Sequence, residues 1–272
     1  MPLRSLKPLV LVGAGKMGGA MLAGWLANNL AGGETVIVDP NLHPEMADLV
    51  ARHGVRHAAS PADVDIVPAV LVLAVKPQSM AAVLPAVKPL VGPRTVVMSV
   101  AAGTTLRTLA AGLGDGPIVR VMPNTPAQVG QGMAVAVGNG AVTAADRTVV
   151  TALMDSVGRT AWVDDEGLMD AVTAVSGSGP AYVFLLAEHL AKAGEAAGLP
   201  PDVAALAARQ TVAGAGALLA ASPLDPATLR QNVTSPGGTT AAALEVLMGE
   251  NGLLPLLTRA VEAAARRGRE LG

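Results

Sequence analysis

The chain has 272 residues, 15% charged and 51% hydrophobic, with a formal charge of −2. It carries no basic block, which excludes a nucleic-acid binder relying on a cationic face, and with 1% aromatic residues it has few rings on which bases could stack. It contains no cysteine, so disulfides, thiolate nucleophiles, zinc ribbons and iron–sulfur clusters are excluded as well.

The mean hydropathy of +0.48 raises the question of a membrane. The first apolar segment, Leu9-Val10-Leu11-Val12, follows Arg4 and Lys7, is too short for a signal peptide and runs straight into glycine. The longest apolar runs, Ala69–Val75 and Val212–Ala221, reach half or less of the ~20 residues that a spanning helix needs. The expectation is a cytoplasmic protein with neither membrane nor nucleic acid as partner.

From Pro8 to Val163, short β-branched runs alternate with Ala/Leu-rich stretches. Strands are predicted at Pro8–Val12, Thr35–Asp39, Ala69–Val75, Thr95–Val100, Ile118–Met122 and Met133–Val137. Several are continuous in Val, Ile and Leu, as in parallel strands covered on both faces. Helices are predicted at Met17–Leu30, Pro44–His53, Pro77–Leu90 and Thr105–Ala111. This alternation gives an α/β fold, a Rossmann-type doubly wound sheet over residues 1–164. Residues 165–272 then read as an all-α domain with helices at Pro180–Ala197, Pro201–Ala221, Pro226–Asn232, Thr239–Met248 and Leu253–Leu271. The segment Ala181-Tyr182-Val183-Phe184-Leu185-Leu186-Ala187 is apolar nearly all round, which asks for burial on every side and so for a second subunit.

Leu9–Val12 leads into Gly13-Ala14-Gly15-Lys16-Met17-Gly18 and then a helix, so this GxGxxG has a strand before it and a helix after it. Gly13 permits the tight turn, Gly15 lets the backbone approach a pyrophosphate, and Gly18 allows close helix–strand packing. Free N–H groups at the helix start hold the anion. The second strand ends in Asp39, about 20 residues further on, where an acid meets the ribose hydroxyls. Its charge, and the lack of an arginine in Pro40-Asn41-Leu42-His43-Pro44, favour NAD over NADP, while Asn41 and His43 keep a 2′-phosphate open.

Other catalytic machinery is sparse. His43, His53 and His57 read as solvated surface and His189 as a packed or interface residue of the apolar helix. Gly177-Ser178-Gly179 is similar to a nucleophile elbow, but Ser176 stands where GxSxG requires glycine. Three glycine-rich polar segments remain: Met122-Pro123-Asn124-Thr125-Pro126 at the carboxyl end of a strand, Ser176-Gly177-Ser178-Gly179-Pro180-Ala181-Tyr182, and Thr234-Ser235-Pro236-Gly237-Gly238-Thr239-Thr240. Each of the last two is expected to open a helix, offering hydroxyl and N–H groups either to a substrate carboxylate or to ordinary helix capping.

With these segments in this order, the chain resembles the pyrroline-5-carboxylate reductase family over essentially its whole length. The resemblance rests on Gly13–Gly18, Ala74-Val75-Lys76-Pro77-Gln78, Ser99-Val100-Ala101-Ala102-Gly103-Thr104-Thr105, Met122–Pro126, Ser176–Tyr182 and, most diagnostic, Leu229-Arg230-Gln231-Asn232-Val233-Thr234 through Thr240. It implies reduction of 1-pyrroline-5-carboxylate to L-proline with NADPH or NADH. By the same resemblance, Gly13, Gly15, Lys16, Met17 and Gly18 hold the pyrophosphate, and Asp39, Pro40 and Asn41 lie by the adenosine ribose. Ala74, Val75, Lys76, Pro77, Ala101, Ala102 and Gly103 run along the cofactor, and Asn124 lies by the nicotinamide ring. Met122, Ser176, Gly177, Ser235, Gly238, Thr239 and Thr240 face the substrate, with Thr240 as partner of the ring nitrogen. It also implies a homodimer intertwined through the helical domains, with dimers assembling further into rings, and no metal. The rival is a β-hydroxyacid dehydrogenase, which shares the GxGxMG start but needs a lysine early on the long helix. Here Tyr182-Val183-Phe184 has none and Lys192 is three turns along. A non-catalytic NAD(P)-binding sensor would have no use for both glycine-rich helix openings.

Overall fold

A computed structural model describes Leu3, Leu6 and Pro8–Leu271; Arg4 and Lys7 lie outside the described residues. The chain divides into two compact units, Met1–Gly177 with Ala264–Gly272, and Ser178–Ala263.

The first unit is built on eight strands, β1 Leu9–Val12, β2 Thr35–Val38, β3 Arg56–Ala58, β4 Val70–Leu73, β5 Val96–Ser99, β6 Ile118–Met122, β7 Gly132–Gly138 and β8 Gly158–Trp162. They form one sheet in the order β3-β2-β1-β4-β5-β6-β7-β8. All neighbours are parallel except β6 and β7, which are joined by a short 3₁₀ turn at Thr125–Val129 and run antiparallel. The helices are α1 Lys16–Ala27, α2 Pro44–His53, α3 Met80–Val87, α4 Leu106–Leu113, α5 Ala144–Asp155 and α6 Met169–Val172.

Period-two alternation along the strands divides the core into two layers. Leu9, Leu11, Val70 and Val72 pack with Met21, Leu22 and Trp25 of α1 and Leu153 of α5. Val10, Val12, Leu71 and Leu73 pack on the other face with Met80 and Leu84 of α3 and Leu109 of α4. Trp25 is fully buried, and its indole N–H donates to the Leu153 carbonyl at 2.9 Å, so the largest core side chain leaves no polar atom unpaired.

The predicted Pro77–Leu90 helix is divided into 3₁₀ turns at Pro77–Ser79 and Lys88–Leu90 flanking α3, and Pro85 within α3 and Pro89 beyond it both lack the N–H that an α ladder needs. β3, β8 and α5 are additions to the predicted elements. α5 is opened by Thr143, whose hydroxyl accepts from Asp146 N while the Asp146 carboxylate takes Thr143 N at 2.8 Å.

The second unit contains α7 Gly179–Ala196, α8 Pro201–Ala221, α9 Pro226–Asn232, α10 Thr239–Leu247 and the first part of α11 Leu253–Leu271. α7 and α8 pack as a hairpin with Ala204 and Ala208 buried. No residue of α7 is buried, and His189 is exposed, so the expected packing of this helix is not supplied within one chain. α8 is long and apolar enough, by length and composition, to cross a bilayer. That exceeds what its apolar runs suggest, because the helix averages Asp202 and Arg209 with many alanines.

Candidate active site

The register sets the carboxyl ends of four strands level. Val12 pairs with Val38 and with Leu73, and Leu73 pairs with Ser99. The loops after β1, β2, β4 and β5 therefore share one edge of the sheet. The chain moves from β1 outward to β2 and β3, then returns to β4 on the other side, so the strand order reverses between β1 and β4. Ligands of open α/β sheets bind outside that crevice. Gly13, Gly15, Lys16, Met17 and Gly18 open α1 there; Asp39, Pro40 and Asn41 follow β2. Ala74, Val75, Lys76 and Pro77 follow β4, and Ala101, Ala102 and Gly103 follow β5.

The glycine loop has the shape of an anion cradle. Gly13 has a φ of 95°, and a Cβ on it would stand 2.8 Å from the Ala74 carbonyl oxygen. A Cβ on Gly18 would overlap the Gly13 carbonyl. Gly15, by contrast, has no protein atom within 4 Å of where its Cβ would be, and no side chain caps α1 above it. Two glycines thus close the loop on the protein while the third leaves open space at an uncapped helix N-terminus. That combination fits a pyrophosphate. Asp39 is bound into the same loop: its Oδ2 accepts from Ala14 N at 2.7 Å and its Oδ1 from Asn41 N at 2.8 Å. His43, His53 and His57 are exposed, as expected, and a ring nitrogen of His57 lies 2.8 Å from the Asp39 carbonyl oxygen.

At the end of β6, Met122 and Asn124 meet Ser176 and Gly177. The Asn124 side chain accepts from Met133 N at 2.8 Å and donates to the Ser176 carbonyl at 3.2 Å and hydroxyl at 3.4 Å. A Cβ on Gly177 would lie 2.5 Å from Met122 Cε, so the Met122 methyl packs directly against the Gly177 backbone. As expected, Ser176–Tyr182 opens the long helix, with α7 starting at Gly179 and no side chain capping it, but the segment before it is not a loop. The chain is already helical from Met169, and Thr173–Gly177 is a turn of π-helix that runs on towards α7. Widening a helix by one residue per turn is a recurrent feature of functional sites.

The sequence reading missed one pair. Arg120 of β6 is buried, and its guanidinium donates to Glu166 Oε1 at 3.0 Å. The same oxygen accepts from Leu106 N at 2.8 Å, at the start of α4. An arginine set among apolar residues in Ile118–Met122 was the available signal, since a buried cation requires a partner.

Ser235, Gly238, Thr239 and Thr240 belong to the second unit. Gly237 has a φ of 69°, Gly238 N donates to the Ser235 carbonyl at 3.0 Å, and no side chain caps α10. The Thr234 hydroxyl donates to the Arg230 carbonyl at 2.7 Å at the end of α9, while the first N–H groups of α10, with no side-chain cap, keep their capacity for an anion. On α7, Lys192 donates to Glu188 at 2.6 Å, and this hydrogen bond raises the lysine pKa above its ordinary value.

Residues 166–271 match the family described as pyrroline-5-carboxylate reductase dimerisation, and residues 8–103 that described as NADP oxidoreductase, coenzyme F420-dependent. The chain is 39% identical to pyrroline-5-carboxylate reductase of Pseudomonas aeruginosa over 268 residues, 97% of this chain and 96% of that protein. The chain belongs to the pyrroline-5-carboxylate reductase family. The solved pyrroline-5-carboxylate reductase of Coxiella burnetii superposes with a TM-score of 0.91 at 33% identity, covering 98% of this chain and 99% of the other. That of Plasmodium falciparum, solved with NADP bound, gives a TM-score of 0.81 at 30% identity over 98% of each chain. As a pyrroline-5-carboxylate reductase, the chain is an NAD(P)H-dependent oxidoreductase with an N-terminal Rossmann-type sheet and a helical C-terminal dimerisation region.

Proposed function

We propose that the edge of the sheet after β1, β2, β4 and β5 holds NAD(P)H for the reduction of 1-pyrroline-5-carboxylate to L-proline. The observation that carries this is the Gly13–Gly18 loop, closed by Gly13 and Gly18 and open at Gly15. Gly13, Gly15, Lys16, Met17 and Gly18 hold the pyrophosphate through backbone N–H groups. Asp39, Pro40 and Asn41 bind the adenosine ribose. Ala74–Pro77 and Ala101–Gly103 guide the remainder of the cofactor towards Met122 and Asn124. When bound, NAD(P)H supplies the hydride that reduces C5 of the cyclic imine.

The residues have little acid–base work to do, because protonation of the imine nitrogen already makes C5 electrophilic. Their contribution is orientation and exclusion of water. Ser235, Gly238 and Thr239 take the substrate carboxylate at the uncapped start of α10, Thr240 hydrogen-bonds the ring nitrogen, and Met122, Ser176 and Gly177 bound the substrate. Alcohol oxidation of the β-hydroxyacid type is disfavoured, since Tyr182-Val183-Phe184 carries no lysine and Lys192, three turns along, is exposed and paired with Glu188.

The reading includes a homodimer through residues 165–272, larger rings of such dimers, a division of the chain near residue 164, and a cytoplasmic location. The exposed apolar side chains of α7, α8, α10 and α11 support a covering partner. The test follows NADH and NADPH absorbance with 1-pyrroline-5-carboxylate and with 3-hydroxyisobutyrate. Imine-dependent oxidation of either cofactor is expected, and its absence with both refutes the reading. Thr240→Ala should lower kcat/KM for the imine while leaving cofactor affinity unchanged.

A further inference from the structure

We infer that Asn124 is a positioning residue that presents the Ser176 hydroxyl to the substrate as a hydrogen-bond donor; this rests on the reading above that Ser176 bounds the substrate.

The side-chain amide has one orientation compatible with its neighbours. Met133 N is a donor and lies 2.8 Å from Oδ1, so that atom must be the oxygen. The Nδ2 group is thereby turned to the π-helical turn, where it donates to the Ser176 carbonyl at 3.2 Å and the Ser176 hydroxyl oxygen at 3.4 Å. One amide thus ties the end of β6 to β7 and to Ser176. An accepting hydroxyl oxygen keeps its own proton for another partner. The substrate offers acceptors in its carboxylate, so a hydroxyl held as donor matches it, whereas a free rotor would spend part of its time turned away. Met122 completes the arrangement, because its methyl occupies the space where Gly177 lacks a Cβ. Asn124 is half-buried, and its amide is engaged at both ends, by Met133 N on the oxygen and by Ser176 on the nitrogen.

Asn124→Asp preserves shape and the acceptor for Met133 N but sets a carboxylate oxygen against the Ser176 carbonyl and hydroxyl. The Ser176 proton is then drawn back to that carboxylate. The expected result is a rise of about tenfold or more in KM for the imine, the scale of one lost hydrogen bond to a charged group. In Ser176→Ala, the Kd for NADH, read by fluorescence titration without substrate, should stay within about twofold. Ser176→Ala should raise the imine KM to a similar extent. The double variant should be no worse than the worse single one, because both changes remove one interaction. Additive losses in the double variant, or a weakened NADH Kd with an unchanged imine KM, overturn the inference. Should Asn124→Asp fail to fold, Ser176→Ala decides alone: it leaves the amide–carbonyl bond in place, and an unchanged imine KM refutes the role. Wild-type enzyme inactive with the imine would instead refute the activity, a distinct outcome.

Discussion

Asp39 and Ala14, 25 residues apart in the chain, are joined by a 2.7 Å hydrogen bond from the Ala14 backbone N–H to the Asp39 carboxylate. The other carboxylate oxygen is held by Asn41 N, so both oxygens are fixed beside the glycine loop before any ligand arrives. A carboxylate anchored in this way cannot swing aside for a 2′-phosphate, and like charges at close range are costly in a partly buried site. Asp39→Ser is therefore expected to move the ratio of NADPH to NADH affinity towards NADPH by about tenfold or more. Parallel fluorescence titrations of the two cofactors measure it. An unchanged ratio would remove Asp39 from cofactor selection.

Gly15 and Gly18 should separate binding from folding. No protein atom lies near the position of a Gly15 Cβ, and its φ of −64° suits any L residue. Gly15→Ala should leave the Tm of the cofactor-free protein unchanged and weaken NADH or NADPH binding, because the new methyl stands where the anion sits. Gly18→Ala drives a methyl into the Gly13 carbonyl and should cost about 1–3 kcal/mol of stability, read by urea titration. If Gly15→Ala binds both cofactors as well as the wild type, the pyrophosphate does not lie over this loop.

Glu166 holds two elements through one oxygen, the Arg120 guanidinium of β6 and the first N–H of α4. Glu166→Gln keeps an acceptor for Leu106 N but leaves a buried guanidinium facing a neutral amide. Breaking a buried pair from one side destabilises more than the pair itself contributes. With Glu166 still 29% exposed, we expect a loss of about 2 kcal/mol, below the fully buried range. Because Gly103 and the end of β6 lie close to this clip in sequence, imine KM and cofactor Kd should shift along with stability, though neither Arg120 nor Glu166 is assigned to a ligand. Urea midpoints and steady-state kinetics on the same preparation test both statements, and an unchanged midpoint contradicts the first.

What the sequence made legible was local. Strand, glycine loop, helix, strand and acid follow one another within Leu9–Asp39, so their chemistry could be read from order alone. The Val/Ile/Leu-rich runs of β1, β2, β4 and β5, unbroken in β1 and β4 and nearly so in the other two, announce strands covered on both faces. β3 escaped because Arg56 and His57 make two of its three residues polar on an edge of the sheet, and β8 because Gly158, Arg159 and Thr160 interrupt any apolar run. α5 does carry a local signal, the Thr143–Asp146 capping box. The reversed direction of β7 and the π-turn at Thr173–Gly177 have no compositional signature; both depend on which tertiary partners the backbone meets.

The second unit leaves large apolar side chains in water, with Phe184 68%, Leu206 69%, Val246 76% and Leu254 76% exposed. Large apolar side chains exposed in this number mark an interface, and here they fall within the residues that match the dimerisation family. Burying a side chain such as Phe184 contributes about 1.5–3 kcal/mol, so several of them per chain suffice for a stable dimer. The wild type is expected to elute at about 54 kDa or above, against 27.1 kDa for one chain, and to stay in the supernatant when a cell extract is centrifuged at high speed. Leu206→Asp and Leu254→Asp should each shift the protein to monomer or aggregate and reduce turnover. Elution of the wild type as a monomer contradicts the proposed interface. Sedimentation with the membrane fraction would instead assign the apolar face of α8 to lipid.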